Sequence, residues 1–419
     1  MATTNETSYL YVACYSQFDN LAHKPRGTEC QDGTMKSVRL NEQTGEMTMV
    51  SSLSGLMNPA FIRSHPTRRN IIYVATESIL ESGDVVAVDI DHTTGTLREI
   101  GRQSAQGKST CYMSISSDQR SMCYVNYWDS TIGVLPLGPA GELEPACHVQ
   151  PPPAPVVAQS LADHLANRQS EPHAHAISLD PAYGRIAFVP DLGTDLVRQY
   201  LFDPSARTLA PAGKLPCAPP DAAPHGPRYL EFDPLCDAAY VVNELSSTVS
   251  VFRFDRAAAR FLVEAGEPLD PAKCPAVLRF AATYSTRVSS PPSTKNTCGR
   301  IAIDPSGQYL LVSNRGDDTI ATFRIERSAD GATAPTLAPL AIVPTEGATP
   351  RHFQFAAAGR FVIAANQDTD SITSFFLNQE TGALSFSGHR LAMGSPNFVC
   401  APARDAMAGI VKSSSSTEL

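Results

Sequence analysis

The chain of 419 residues lacks the features of several common protein classes. It has no apolar run long enough to span a membrane and no basic tract, so we predict neither a membrane span nor nucleic-acid binding. It has no GxSxG elbow, no Walker loop and no dinucleotide fingerprint, which argues against serine hydrolase, ATP and NAD chemistry. The formal net charge of −9 gives no sign of a polyanionic partner.

The ten cysteines form no CxxC pair and no Cys/His metal spacing. Several lie inside strand-like runs, and we therefore expect reduced, buried thiols rather than disulfides. The first residues, MATTNETS, are polar and contain no apolar signal core. These observations predict a cytoplasmic protein.

The sequence contains a repeated unit, seen most clearly between His173 and Phe252. Two copies, HAHAISLDPAYGRIAFVPDLG and GPRYLEFDPLCDAAYVVNEL, each read as a strand, a tight turn and a second strand, which is the pattern of a hairpin. Aligned on their Asp-Pro turns, the copies place His175 opposite Arg228 and Asp191 opposite Glu244. Within each hairpin, the start of the first strand then lies beside the end of the second.

Further copies at 58–77, 111–128, 298–326 and 350–384 give six complete hairpins. A seventh forms if SPNFVCAPA (395–403) supplies the first strand and YLYVACYS (9–16) supplies the second. Repeats of this length, with about four strands each, predict an all-β, seven-bladed β-propeller closed by N- and C-terminal strands that share one blade. We expect one domain over 1–419, with a core of about 8–402, a disordered tail at 403–419, and long loops at 149–172 (with a short helical pattern at 161–168) and 266–297.

Equivalent positions of the repeats should form rings around one mouth of the central channel. These positions are varied and polar, unlike the turn and strand positions, and polar groups converging on a concave site indicate binding. The ring at the start of the first strands is predicted to contain Ala60, Cys111, His175, Arg228, Gly299, Arg351 and about Pro396. The ring at the end of the second strands is predicted to contain Tyr15, Glu77, Tyr127, Asp191, Glu244, Arg315 and Gln367.

Several readings of these residues stay open at this point. The arginines Arg228, Arg315 and Arg351 match a carboxylate or phosphate, and His175 suits proton transfer near neutral pH. Alternatively, Arg228 and Glu244 form a salt bridge within one blade, and the two histidines are scaffold. The HxH pair could instead hold a divalent cation with Glu77, Asp191 and Asn243. We predict no metal, because the arginines would repel it.

The motifs PHAHAISLDP, DLGTD, GPRYLEFDP, YVVNELSSTVSVF, SNRGDDTIATF, TPRHFQF and ANQDTDSI resemble the seven-bladed lactonase family over about residues 8–402. That family includes cofactor-independent, propeller-type 6-phosphogluconolactonases and fungal carboxy-cis,cis-muconate cyclases. The resemblance implies a catalytic set of His175 (or His173), Arg228, Glu244 and Arg315, with no metal and no cofactor. Two positions depart from the family pattern: Tyr229 stands in place of histidine, and Leu196 stands in place of arginine.

We expect the remaining ring residues to bind the substrate: His173, Arg351, Asp191, Glu77, Tyr127 and Gln367. The first hypothesis is hydrolysis of a sugar lactone, 6-phosphogluconolactone, so the expected partner is a small anionic lactone. The second is lactone formation from a muconate. The third is a propeller that binds proteins without catalysis, although the Gly-His and Trp-Asp signatures of WD repeats are missing and Trp128 is the single tryptophan. The sequence predicts no oligomeric state.

Overall fold

The computed structural model describes residues 7–153, 168–219, 224–266, 269–287, 295–329, 331 and 333–402. These residues form seven four-stranded antiparallel sheets, the blades of a propeller. The first strands in the chain are β1 (Thr7–Cys14), β2 (Met35–Asn41) and β3 (Met47–Leu53). Blade 1 is β4 (Pro59–Ser64), β5 (Ile71–Thr76), β6 (Ser82–Ile90) and β7 (Leu97–Lys108). Blade 2 is β8 (Thr110–Ile115), β9 (Ser121–Asn126), β10 (Ile132–Pro136) and β11 (His148–Gln150).

The remaining blades follow in chain order. Blade 3 is β12 (Ser178–Leu179), β13 (Ile186–Asp191), β14 (Leu196–Asp203) and β15 (Thr208–Pro216). Blade 4 is β16 (Pro227–Phe232), β17 (Ala238–Asn243), β18 (Thr248–Phe254) and β19 (Leu278–Ser285). Blade 5 is β20 (Thr297–Ile303), β21 (Tyr309–Arg315), β22 (Thr319–Glu326) and β23 (Thr336–Pro344). Blade 6 is β24 (Pro350–Ala356), β25 (Phe361–Asn366), β26 (Ser371–Leu377) and β27 (Leu384–Ala392), and the last strand is β28 (Pro396–Cys400).

Blade 7 closes the ring and joins the two ends of the chain. Its strand order is β28, β1, β2, β3, with Val399 of β28 opposite Val12 of β1. Strand β28 therefore has the first position of the blade and β1 the second. This confirms the prediction of seven blades closed by both chain ends, and the pairing of β28 with β1 completes the last blade from the two ends.

The hydrophobic core follows from the position of each strand within its blade. All six residues of second strands such as β5, β9, β17 and β25 are buried, because these strands have neighbouring strands on both sides and blades on both faces. The fourth strands alternate instead, as in β27, where every other side chain faces solvent. The polar residues predicted for the site lie at the ends of the inner strands, around the channel mouth.

The structure differs from the sequence analysis in two connecting segments. The prediction of one long loop at 266–297 is wrong, because this segment contains β19, an outer strand whose side chains are mostly exposed. The segments on both sides of β19 are rich in Pro, Ser, Thr and Lys, so the whole stretch resembles a loop in sequence. A helix that was not predicted, α1 (Arg256–Ala265), begins after Asp255, whose carboxylate accepts a hydrogen bond from Ala258 N.

Three short 3-10 helices complete the description, at Phe18–Asn20, Ala357–Gly359 and Gln367–Thr369. Most of the predicted insertion (154–167), including nearly all of its helical pattern, and the predicted tail (403–419) lie outside the described residues. In the part of the chain that the structure describes, no helix combines the length and apolar character needed to cross a membrane.

Candidate active site

A β-bulge at the start of the first strand recurs around the ring and positions the inner ring of side chains. The register shifts by one residue around Ala60, Cys111, Arg228 and Arg351. In blade 7 the residue skipped is Asn397 rather than the predicted Pro396. A bulged residue is removed from the ladder and its side chain is re-aimed, which directs these positions toward the channel mouth.

Blade 3 follows the same rule, which places His175. Its isolated bridge pairs Ala174 with Asp191, whereas Ser178 pairs with Phe188. The two pairings differ in register by one residue, so an extra residue lies between them. The His175 amide donates to Pro190 O over 2.9 Å, which holds the backbone of this irregular segment against β13.

The second ring stands one residue beyond the end of the second strand in most blades, while in blade 5 Arg315 is itself the last residue of β21. Its amides donate to the carbonyl two residues before the bulge, as Glu77 does to Asn58 and Glu244 does to Gly226. In blade 3 that amide belongs to Leu192, which donates to His173 O. Asp191 therefore does not belong to the ring, and the predicted pairing of Asp191 with Glu244 is off by one residue.

The cause is the length of the Asp-Pro turn. Asp180 N donates to Ile186 O, six residues on, whereas Asp233 N donates to Ala238 O, five residues on. The extra residue of the blade 3 turn shifts everything that follows by one position. Gly184 in this turn has a φ of 64°, a left-handed conformation that favours glycine.

Glu244 is the centre of the site and is surrounded by three arginines. Its Oε2 accepts from Arg228 Nε at 3.0 Å and lies 2.8 Å from Arg315 Nη2, and its Oε1 accepts from Arg168. Burial by itself raises the pKa of Glu244, but Arg315, Arg168 and Arg228 outweigh burial and hold the pKa well below its usual range. Glu244 is therefore a carboxylate at neutral pH.

Positive charge exceeds negative charge in this cluster. Arg315 also donates from Nη2 to Cys298 O at 2.6 Å, and its Nε is buried without a hydrogen-bond partner among the described residues. Burial, together with repulsion from neighbouring arginines, lowers the pKa of Arg315 to about 10 despite Glu244. A bound anion would stabilise the charged form of Arg315, so this part of the site attracts an anion.

His175 lies beside this cluster as a neutral imidazole. Its Nδ1 is 3.8 Å from Cys111 Sγ, and its ring contacts Tyr127 and Tyr229 edge to face, with centroids 5.0 and 5.5 Å apart. Burial first, and Arg228 second, hold the pKa of His175 well below its usual range. The ring is therefore unprotonated at neutral pH and has one nitrogen able to accept a proton.

The opposite wall of the mouth contains a second carboxylate. Tyr15 donates its hydroxyl to Glu77 Oε2 at 2.7 Å, and Arg351 Nη2 lies 3.9 Å from the same oxygen. Burial raises the pKa of Tyr15 far above its usual value, so the phenol keeps its proton. This wall offers an acceptor in Glu77 and a cation in Arg351.

The two walls border a pocket with about 430 Å³ of space between protein atoms, part of which is open to solvent. Six of the ten predicted site residues line it, and so do Tyr15 and Ser109 from the blades. Two loops also contribute, one through Leu21, Ala22 and His23, the other through Arg168. The pocket is lined by His175, Glu244, Arg315, Arg351, Glu77 and Tyr127 from the predicted set.

His23 and Arg168 were missed because neither occupies a repeat position. The loop with His23 is fixed to blade 6, since Arg26 N donates to Asp368 Oδ1 and Thr28 N donates to Asp370 Oδ1. Arg168 is the last residue of the helical pattern in the predicted insertion (149–172). It is the one arginine or lysine of that insertion, and this is the sequence signal that could have drawn attention to Arg168.

Four predicted site residues lie behind the pocket instead of lining it. Arg228 is 2% exposed and donates to Glu244 and to Gly299 O. His173 stacks on Tyr127 with ring centroids 4.7 Å apart. Asp191 accepts from His173 N and Arg198 Nε, and the Gln367 amide donates to Asp368.

The residues of the alternative cation site are not brought together. Asp191 is paired with Arg198, and the Asn243 amide donates to Thr248 and Ser250. Within the described ranges, no group of three or more histidine, cysteine, aspartate or glutamate side chains is arranged to hold a metal ion.

Comparison with known proteins gives a consistent family assignment. A sequence model of the family described as Lactonase, 7-bladed beta-propeller, matches residues 9–401. A 6-phosphogluconolactonase from Bacillus subtilis strain 168 is 27% identical over 364 residues, which cover 86% of this chain and 92% of that protein. A 6-phosphogluconolactonase from Formosa agariphila is 25% identical over 351 residues, covering 82% and 88%.

Solved structures agree in fold. A periplasmic gluconolactonase from Pseudomonas aeruginosa is 25% identical and superposes with a TM-score of 0.76, covering 95% of this chain and 99% of that chain. A protein from Bacteroides fragilis NCTC 9343, described as a putative 6-phosphogluconolactonase, is 24% identical with a TM-score of 0.74, covering 96% and 99%.

Proposed function

The chain belongs to the seven-bladed β-propeller lactonase family, and we propose from this membership and the site that it hydrolyses a sugar lactone, 6-phosphogluconolactone, to the open-chain acid. The observation that supports this most is a neutral His175 next to an arginine-bound Glu244 in a pocket with excess positive charge. Lactone hydrolysis needs a base for water and a cation for the oxyanion, and this arrangement supplies both.

In the reaction, His175 takes a proton from water as the oxygen attacks the lactone carbonyl carbon. Arg315, which lines the pocket, stabilises the oxyanion that develops on the carbonyl oxygen. As the intermediate collapses, the bond from the carbonyl carbon to the ring oxygen breaks, and the imidazolium returns its proton to that oxygen. The products are a carboxylic acid and a free hydroxyl group.

Glu244 and Arg228 position these groups. A proton-donor role for Glu244 would need the protonated acid, and the three arginines oppose that form. Glu244 instead fixes Arg315 and favours the imidazolium of His175 as it forms. Arg228 is buried behind Glu244 and holds its carboxylate in place, whereas Arg315 lines the pocket. We therefore assign stabilisation of the oxyanion to Arg315 and not to Arg228.

The second wall supports a hydroxylated substrate. Glu77 can accept hydrogen bonds from sugar hydroxyls, and in the described part of the chain its Oε1 has no hydrogen-bond partner, while Oε2 accepts from Tyr15. A muconolactone has no alcohol hydroxyl to donate to Glu77. This favours a sugar lactone over the muconate reaction.

The test is hydrolysis of 6-phosphogluconolactone by EDTA-treated protein, followed as acid release above the spontaneous rate. We expect rapid turnover in the wild type and a loss of about 100-fold or more in kcat for His175→Asn, because a general base is removed. His389→Asn, on the outer strand β27, is the control and should keep full activity. Loss of the ultraviolet absorbance of a conjugated carboxymuconate, without lactone hydrolysis, would overturn the proposal in favour of the cyclase reaction.

We also propose a cytoplasmic location. All ten cysteines are free thiols, and seven of them are buried. This composition suits a reducing compartment. Fractionation of source cells tests this location. Recovery of the protein in the periplasmic or secreted fraction would contradict it.

A further inference from the structure

Arg168 differs from the other two arginines that contact Glu244. Arg228 and Arg315 belong to strands β16 and β21 of the propeller, whereas Arg168 comes from the connection between blades 2 and 3. It binds the Oε1 oxygen of Glu244, and the other two bind Oε2. Arg168 thus approaches the carboxylate separately from the strand arginines.

The backbone next to Arg168 is anchored to blade 3. Gln169 is 5% exposed and donates from Nε2 to Leu192 O at 2.9 Å and to Asp195 Oδ1 at 3.3 Å. Arg168 itself lies against the Tyr127 hydroxyl. The guanidinium is therefore held in the mouth by fixed neighbours on two blades.

Arg168 also has more unused donor capacity than Arg228. Arg228 is enclosed by Glu244, Gly299 O and the Tyr229 ring, 4.3 Å from its guanidinium carbon. Arg168 has a side chain 17% exposed, lines the pocket, and has a buried Nε without a partner among the described residues. A guanidinium offers five N–H donors, so an anion in the pocket can bind Arg168 while Glu244 stays bound.

The charge balance gives a reason for an anion to do so. Four arginines (Arg168, Arg228, Arg315, Arg351) and two carboxylates (Glu77, Glu244) meet at the mouth, an excess of two positive charges. This excess matches a phosphate monoester, which has a charge of about −2 at neutral pH. A neutral sugar lactone would leave the excess uncompensated.

We propose that Arg168 binds the phosphate group of the substrate and makes the site selective for phosphorylated over neutral sugar lactones. This inference rests on the proposed lactonase function. Arg168 is a substrate-binding residue in this assignment, and His175 and Arg315 remain the groups at the reacting carbonyl. The competing possibility is that Arg168 only neutralises Glu244.

The experiment compares 6-phosphogluconolactone with glucono-δ-lactone for the wild type, Arg168→Gln and Arg168→Lys. We expect Arg168→Gln to raise KM for the phosphorylated lactone about 10- to 100-fold, the loss expected for charged hydrogen bonds. Its kcat/KM for the neutral lactone should change less than about threefold, and Arg168→Lys should recover part of the loss. The matched control is Arg98→Gln, at an exposed position of β7, and it should leave KM and kcat/KM unchanged for both lactones.

The two roles of Arg168 separate in the result. If Arg168→Gln lowers kcat/KM equally for both lactones and displaces the acid limb of the pH profile of kcat/KM, Arg168 acts only through Glu244 and the proposal is overturned. Unchanged KM for the phosphorylated lactone would also overturn it. If the wild type hydrolyses neither lactone, the proposed function fails, and Arg168 is then tested by calorimetric binding of 6-phosphogluconate. Binding to the wild type that weakens in Arg168→Gln would support the phosphate-binding role. Binding that is equal in both proteins would overturn it.

Discussion

At the scale of single residues, the site depends on groups whose charge is set by burial and by near neighbours. His175 is neutral because its ring is enclosed and Arg228 lies close, whereas Glu244 is ionised although it is equally enclosed. The difference arises because three arginines act on the carboxylate directly. The site thus keeps a base in its proton-accepting form and an anion in its charged form at the same pH.

The pH dependence of catalysis follows from His175. Its pKa in the folded protein lies below the usual value of about 6.5, so the base stays unprotonated down to lower pH. We expect kcat/KM for lactone hydrolysis to be flat near neutral pH and to fall only below about pH 6.5, after subtraction of the spontaneous rate. The residual activity of His175→Asn should lack this acid limb. An acid limb above pH 7 in the wild type would contradict the assignment.

At the scale of secondary-structure elements, β28 fixes the ring that positions these residues. It contacts β1 within blade 7 and packs against β24 and β4 of the neighbouring blades. Val399 is fully buried in the cluster between blades 6 and 7, and its amide donates to His352 Nδ1 at 3.3 Å. A defect in β28 therefore affects closure and both adjacent interfaces.

Val399→Ala tests this role. We expect the free energy of unfolding to fall by about 2 kcal/mol, because two buried methyl groups are lost between packed blades. Val50→Ala, in the outer strand β3 of the same blade, removes the same groups from a half-buried position and should cost less than about 1 kcal/mol. Urea denaturation measures both variants. An equal decrease in the free energy of unfolding for both variants would show that the closing strand contributes no more to stability than the outer strand.

At the scale of the whole molecule, five histidines of the described residues are buried: His65, His173, His175, His225 and His352. Burial is the first cause that lowers the pKa of each. The unfolded chain therefore binds protons at a pH where the folded protein does not. The contribution of these neutral histidines to the free energy of unfolding is fully present above about pH 6.5. It is lost as the pH falls toward their lowered pKa values in the folded state.

We expect the free energy of unfolding to decrease between pH 7.5 and pH 5.5, with each buried histidine contributing up to about 1.4 kcal/mol per pH unit below its unfolded pKa. Urea denaturation at both pH values checks this. The variant His65→Asn keeps an acceptor for the amides of Thr67 and Arg68 but cannot titrate, so its pH dependence should be smaller. Equal stability at pH 7.5 and 5.5 would refute the expectation.

The sequence by itself determined the repeat, the number of blades, the closing strand and the pairing of Arg228 with Glu244. Each of these depends on short-range hairpin register and on a period that recurs along the chain, so pattern analysis can find it. The same analysis placed Asp191 in the ring, since a turn longer by one residue shifts the register without changing the strand pattern.

Only the tertiary structure decided which polar groups share the pocket. Arg168 and His23 reach it from connections that have no counterpart in the other repeats, and Arg228 is hidden behind Glu244 although it occupies a ring position. The ionised state of Glu244 likewise needs three arginines from separate parts of the chain. Distances between residues far apart in sequence are set by blade packing and by long loops, and no local pattern encodes them.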